Sequence, residues 1–313
     1  RAVLWDPPGG PGFVGIGDAA RVTAAGPRRM AAAAAASSAL LSGVRTRSYD
    51  GGGATARLFG GFAFVAGAAQ RPPWQAFGDA QLILPRWRYQ RDGGRAWLTL
   101  TVDPEAARHG ERWLGELAAL LEALARDLGA PGAQPTAYPV AALDATTWRT
   151  QIATIRGAIA DRRCEKIVAA RCRTVELDGV PAPAAVLARL GQRHPECHRY
   201  AFRAGDAWLV GATPERLVRL DGQTVSCDAL AGSIARGAGD DLVARLLASD
   251  KDRREHDLVV RAIAEALGPR CAELSVPTTP RVRVLRDVLH LHTALVGRLL
   301  APARGGYPAR GAT

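Results

Sequence analysis

The chain has 313 residues, 48% hydrophobic and 23% charged, enough to bury a large core as one domain or as two closely packed halves. Forty-one Lys and Arg against 30 Asp and Glu give a formal charge of +11. Only Lys166 and Lys251 are lysines and no basic block is interleaved with aromatics, which argues against a nucleic-acid partner. The five cysteines form no C-x-x-C pair or zinc ladder, so the expectation is a reducing, cytoplasmic compartment.

Residues 1–30 are rich in Gly and Pro, with a strand predicted near Phe13–Ile16. The chain starts at Arg1 rather than Met, which is the mark expected of a fragment or an open-ended translation. Met30–Val44 is uncharged but mostly Ala and Ser. It reads as a surface-packed helix, neither an export signal after Arg28-Arg29 nor a membrane span, which needs ~18 strongly apolar residues. Arg57–Val65 and Leu82–Gln90 read as strands, the second forming a hairpin with Arg95–Val102 across Arg91-Asp92-Gly93-Gly94. Asp103-Pro104-Glu105 is predicted to open a helix running to about Leu128.

Gly129–Pro139 is the one plausible linker, short and rich in Pro, Gly and Ala. Beyond it, Asp144 should cap a helix with Trp148, Ile152, Ile155 and Ile159 on one face. A strand over Lys166–Leu177, a helix over Ala184–Arg193 and strands over Arg199–Arg203, Ala207–Val210, Arg216–Leu220 and Thr224–Asp228 follow, then helices over Asp240–Ala248 and Asp250–Leu267. No repeat is visible in the sequence. Hairpin strands mixed with amphipathic helices predict an α+β fold of antiparallel sheets.

Four segments carry candidate chemistry. Lys166 begins a strand in a chain that otherwise uses arginine, and lysine, unlike arginine, can lose its proton when buried. It reads as a strand-end solvent lysine or as an amine base. In Gly211-Ala212-Thr213-Pro214-Glu215-Arg216, Gly and Pro place Glu215 at a strand start. It is either a turn glutamate paired with arginine or, with a raised pKa, a general acid. Ala229–Gly237 is small and glycine-bearing and reads as a loop between strand and helix, either a plain connection or one whose backbone N–H groups approach an anion. In Ser249–His256, a helix sets Asp252, Glu255 and His256 at i, i+3 and i+4, a solvated face or an oxygen site suited to Mg²⁺.

Taken in order, Lys166-Ile167-Val168-Ala169-Ala170-Arg171, Gly211–Glu215, Ala229-Leu230-Ala231-Gly232-Ser233, Lys251-Asp252 with Glu255-His256, and Val288-Leu289-His290-Leu291 resemble the chorismate-utilising enzymes. That family includes the isochorismate, salicylate, anthranilate and aminodeoxychorismate synthases. The resemblance covers most of the chain, including Phe13–Gly17 and Phe59–Phe62, and is strongest from Lys166 to Gly297. It implies the family's α+β fold, antiparallel sheets in a sandwich core with helices outside. Residues 1–128 would be one half, 140–300 the chorismate-binding region, and the two would form one intimately packed domain, expected to be a monomer.

The resemblance also implies roles. Glu255 would ligate Mg²⁺, Gly232 and Ser233 would hold the substrate, Gly232 through its backbone N–H to a substrate carboxylate, and His290 would line the ring pocket. Lys166 would activate water for attack at ring carbon C2, and Glu215 would protonate the departing C4 hydroxyl. Family members that add ammonia carry glutamine at the position of Lys166, and aminodeoxychorismate synthases carry lysine at that of Ala231. The pattern here is similar to isochorismate synthases, for menaquinone or a catechol siderophore, with salicylate synthase and an inactive chorismate-binding homologue as the alternatives. Residues 301–313 read as an aberrant tail where the family continues with a carboxylate-binding arginine and a second metal-ligating glutamate. The chain as it stands is therefore expected to turn over poorly.

Overall fold

The computed structural model describes residues 1–49, 55–126, 135–139, 144–237 and 241–301. In chain order its elements are β1 (Ala2–Asp6), β2 (Gly12–Ala24), α1 (Arg29–Ser42), β3 (Phe59–Phe62), β4 (Ala80–Asp92), β5 (Arg95–Leu100), α2 (Gly110–Ala125), β6 (Ala137–Pro139), α3 (Ala145–Ala160), β7 (Val175–Leu177) and α4 (Pro183–Arg193). Then come β8 (His198–Ala204), β9 (Ala207–Thr213), β10 (Arg219–Asp221), β11 (Thr224–Ala235), α5 (Leu242–Ala248), α6 (Asp250–Leu267), β12 (Cys271–Ser275), β13 (Arg281–Val284) and β14 (Val288–Leu299). Every pairing among the described residues is antiparallel, as the α+β expectation requires. The chain divides into two units, residues 1–127 with 186–313, and residues 128–185.

The first unit holds two sheets built on one plan. In the seven-stranded sheet, β4 pairs along its length with β2, and its other edge is shared by β3 and then β5. In the five-stranded sheet, β14 pairs with β11, and its other edge is shared by β13 and then β12. Helices fall between the two long strands in both cases, α1 packing on β2 and β4, α5 and α6 on β11 and β14. The plan repeats although the sequence does not, because hydrogen-bonded pairing constrains backbone direction and alternation rather than residue identity. The halves expected on either side of residues 129–139 share a sheet, since β1 pairs with β8 through Ala2↔Arg203 to Asp6↔Arg199.

Alternation sets which face is buried. Along β14, Leu289, Leu291, Thr293 and Leu295 are buried while His290 and His292 face the other way. Leu246 of α5 completes a cluster with Leu289 and Leu291. A second cluster joins Val3, Ile83, Phe202 and Ala204, and a third joins Val22, Ala33 of α1 and Ala80. Each fully buried large aliphatic side chain contributes about 1.5–3 kcal/mol.

Several boundaries differ from those predicted. The helix expected from Asp103 begins instead at Gly110, after a short 3-10 turn over Ala106–Arg108 whose Ala106 N–H donates to Asp103 Oδ1 at 2.7 Å. Arg216–Leu220 pairs only from Arg219. Ala229–Gly237 is not a loop: β11 runs through to Ala235 because the twelve residues of β14 offer it a continuous partner. The Gly129–Pro139 linker lies mostly outside the described residues, and so does the tail from residue 302.

In the second unit, Asp144 caps α3 by accepting from Thr146 N–H, as expected. Trp148, Ile152 and Ile155 are half-buried on one face, and the Arg171 guanidinium lies 5.7 Å from the Trp148 ring centre. The strand predicted over Lys166–Leu177 is confined to Val175–Leu177, which pairs with Ala137–Pro139. Residues 166–174 have strand-like composition but join no ladder among the described residues, and β-propensity without a partner does not make a strand.

Candidate active site

The polar side chains gather on the face of the five-stranded sheet opposite α5 and α6. Alternation places Ser226, Asp228 and Leu230 of β11 on that face, and the register sets Leu230 opposite His292. Gly232 then interrupts the ladder as a bulge with φ +76°, so that Ser233 rather than Gly232 stands opposite His290. Ser233 Oγ and His290 Nδ1 are 2.6 Å apart. Only a residue without Cβ suits the bulge, because a Cβ there would lie 3.0 Å from Asp252 Cβ and 3.0 Å from its backbone oxygen.

The second pair on this face was not singled out in the sequence. His292 Nε2 is 2.9 Å from Asp228 Oδ1, and Arg216 Nη2 is 3.6 Å from Asp228 Oδ2 and 3.4 Å from Ser226 Oγ. The Asp228 backbone N–H also donates to Arg216 O at 3.4 Å. Arg283 of β13 stands opposite His290 in the ladder.

Glu215 sits immediately before Arg216 on the turn that leaves β9. The residue is exposed as a whole, but protein around its carboxyl removes enough water to push its pKa up, and the Asp228 carboxylate pushes it further. Burial lowers the His290 imidazole below its ordinary range, a hydrogen bond to the Gly232 backbone opposes that, and Arg283 adds to the lowering. His198 of β8 is lowered by burial and by Arg216 and Arg283, with Asp228 acting the other way. Two sheets thus contribute to one charged neighbourhood in which the pKa of Glu215 is pushed up and that of His290 down.

The helix bearing Glu255 packs on the other side of β11 and β14. His256 is 1% exposed, with Nδ1 3.2 Å from Ala231 O and Nε2 2.8 Å from Thr293 Oγ1. It ties α6 to both strands, so this is not the solvated face that the sequence left open. Ser249 caps the helix by accepting from Asp252 N–H at 3.3 Å and donating to Asp252 Oδ2 at 2.5 Å. Glu255 is half-buried one residue before His256. Among the described residues no three His, Cys, Asp or Glu side chains are grouped to hold a metal ion.

The structure therefore brings Gly232, Ser233 and His290 together at the bulge, with Gly232 also against the first turn of α6, and sets Glu215 within the influence of Asp228 on the strand that carries the bulge. Lys166 belongs to the second unit, half-buried on the run that precedes β7. Asp228, His292, Arg283 and His198 are the additions. The signal available for the first two was the alternation of polar residues in Ser226-Cys227-Asp228 and His290-Leu291-His292. A separate cavity of about 1070 Å³ opens on the seven-stranded sheet, lined mainly by apolar side chains such as Phe13, Phe59, Leu82 and Leu209. None of the six expected site residues lines it, and apolar walls offer little to proton transfer, so the polar face is the better candidate for chemistry.

Comparison with known proteins adds relatives to this geometry. A family model described as "Chorismate binding enzyme" matches residues 2–304. The chain is similar to the salicylate biosynthesis isochorismate synthase of Pseudomonas aeruginosa, 34% identical over 277 residues, covering 80% of this chain and 57% of that one. It is also similar to the isochorismate synthase MenF of Bacillus subtilis, 30% identical over 256 residues, covering 77% of this chain and 52% of that one. The chain thus spans little more than half the length of these curated relatives. Among solved structures, the menaquinone-specific isochorismate synthase MenF of Escherichia coli superposes with a TM-score of 0.71 at 25% identity, covering 96% of this chain and 65% of that one. Anthranilate synthase component I from Streptococcus pneumoniae shares the fold, with a TM-score of 0.54 at 20% identity over 71% of this chain and 51% of that one.

Proposed function

Because the chain belongs to the family of chorismate-binding enzymes, we propose that it serves as an isochorismate synthase, converting chorismate to isochorismate. The observation that carries the reading is Glu215, a carboxyl held toward its protonated form by burial and by Asp228 at the rim of a polar face. Hydroxide is a poor leaving group, so loss of the C4 hydroxyl needs a proton donor, and a carboxyl whose pKa is raised suits that role better than an ordinary glutamate. Lys166 takes the role of base for the water that attacks C2. Ser233 and His290, 2.6 Å apart, and the backbone of Gly232 are assigned to holding the substrate.

Magnesium suits this donor set in part. Mg²⁺ takes hard oxygen ligands and keeps several waters, so a single half-buried carboxylate such as Glu255 fits as one member of its shell. When bound, the ion would supply positive charge against a substrate carboxylate. The names of the similar proteins support isochorismate as the product; one names salicylate biosynthesis and another menaquinone as its destination, and a catechol siderophore remains part of our reading. All five cysteines are free, which supports action in a reducing compartment such as the cytoplasm.

The test uses the full-length gene product with chorismate and Mg²⁺, products being separated by chromatography. Lys166→Gln and Glu215→Gln should each lower isochorismate formation by ~10²–10⁴ while leaving chorismate affinity largely in place. Near-wild-type turnover by either variant, or salicylate in place of isochorismate, would overturn the corresponding part of the reading.

A further inference from the structure

We propose that Asp228 is a positioning residue for Glu215: clamped between His292 and Arg216, it fixes the turn that carries Glu215 and sets a negative charge beside its carboxyl. The inference rests on the reading of Glu215 as the acid, and it adds a residue that neither the sequence motifs nor the relatives' names assign.

The geometry is a double clamp. Asp228 Oδ1 lies 2.9 Å from His292 Nε2, and Oδ2 lies 3.6 Å from Arg216 Nη2, with the Asp228 side chain only 11% exposed. The backbone closes the same link, since Asp228 N–H donates to Arg216 O at 3.4 Å. Arg216 is thus held at its main chain and at its guanidinium by one residue, and Glu215 directly precedes it. Pro214 and the 3.2 Å hydrogen bond from Glu215 N–H to Thr213 Oγ1 restrain the approach from the other side. A carboxylate so held cannot swing away from its neighbour, so its charge acts on Glu215 from a fixed place.

The other charged or titratable groups of this neighbourhood are Arg216, Arg283, His198, His290 and His292, with Cys227 beside Asp228 and its thiol pushed up chiefly by burial. Removing the Asp228 charge would leave the Arg216 cation uncompensated. Both changes favour ionised Glu215, so they act in the same direction. The acid would then lose its proton at lower pH, and activity would fail earlier on the alkaline side.

The experiment compares wild type with Asp228→Asn, Asp228→Glu and Glu215→Gln in the full-length gene product, each checked for native circular dichroism. Asp228→Asn should move the alkaline limb of the kcat profile down by about one pH unit, a tenfold loss above the limb, with KM for chorismate nearly unchanged. Asp228→Glu should restore most of it. Infrared spectroscopy gives a readout independent of turnover: the protonated-carboxyl band that Glu215→Gln removes should titrate at lower pH in Asp228→Asn. If limb and band stay where they are in wild type, Asp228 does not position Glu215 and the proposal falls, while the acid assignment stands. If Glu215→Gln keeps its activity the acid assignment falls, and the band midpoint still decides whether Asp228 acts on Glu215. Should Asp228→Asn lose the native fold, Asp228→Ser removes the charge with a smaller side chain, and an unshifted band and limb in that variant would refute the proposal.

Discussion

Replacing Gly232 by alanine tests the bulge on which the candidate site is built. Two costs can be worked from the structure. Gly232 has φ +76°, and an L residue in that left-handed region is strained by about 1–2 kcal/mol. The new Cβ would also stand 3.0 Å from Asp252 Cβ, 3.0 Å from Asp252 O and 3.3 Å from Leu291 Cδ1. Two of those atoms belong to the first turn of α6, where the Ser249 cap and the His256 bond to Ala231 O hold the helix against the strand. Overpacking against such a neighbour costs roughly 1–3 kcal/mol. The expected destabilisation is therefore about 2–5 kcal/mol, measured as the shift of the urea midpoint by circular dichroism multiplied by the unfolding slope. Gly93→Ala supplies the control, because Gly93 has φ +59° but nothing within 4 Å of its would-be Cβ. It should lose only the backbone part. If Gly232→Ala costs no more than Gly93→Ala, helix and strand do not press on each other at the bulge, and the argument for a glycine there reduces to its φ.

Two further substitutions test the supports of the fold. His256→Ala removes a ring that is 1% exposed and leaves Thr293 Oγ1 and Ala231 O without their partner, so a loss of about 2–5 kcal/mol is expected from the same urea titration. A loss below about 1 kcal/mol would mean that α6 is held by other contacts. Asp79 accepts from Gly67 N–H at 2.8 Å and Gly26 N–H at 3.1 Å, and these bonds, Gly67 first, hold its pKa below the ordinary carboxylate value. A group whose folded pKa is depressed stabilises above its unfolded pKa of about 3.9 and loses that contribution as pH falls through the folded value. Asp79→Asn should therefore be less stable than wild type at pH 7, with the gap closing in acid. A gap independent of pH would show that the carboxylate charge is not what these N–H groups hold.

Much of the fold could be read where local chemistry decides it. The run Asp250–Leu267 is helical between the same two residues that the sequence indicated, with Ser249 as its cap. The hairpin around Gly93-Gly94 formed as its glycines required, joining β4 to β5. What could not be read depends on partners far along the chain. β1 is a five-residue segment that ends just before Pro7-Pro8, and it sits inside the sheet because β2 takes one edge and β8, nearly two hundred residues later, takes the other. Ala229–Gly237 has the small residues of a loop, yet β14 pairs with it down to Ala235. Lys166–Thr174 errs in the opposite sense: its residues favour a strand, and no described segment pairs with them.

The site divides along the same line. Glu215, Gly232, Ser233 and His290 could be named from motifs because each motif is contiguous, but what joins them is register. Asp228 and His292 are 64 positions apart and meet only because Leu230 is set opposite His292 and the bulge comes after, not before, that pair. Had the extra residue been inserted ahead of Asp228, alternation would have turned Asp228 to the opposite face of the sheet, where Cys227 and Leu295 are buried. Gly232 thus fixes two things at once. It lets Ser233 stand opposite His290, and its late position leaves Asp228 on the polar face where Arg216 and, through the turn, Glu215 can be held. The bulge is therefore the point at which a substitution of one methyl group would press on the first turn of α6 and on the strand that carries His290.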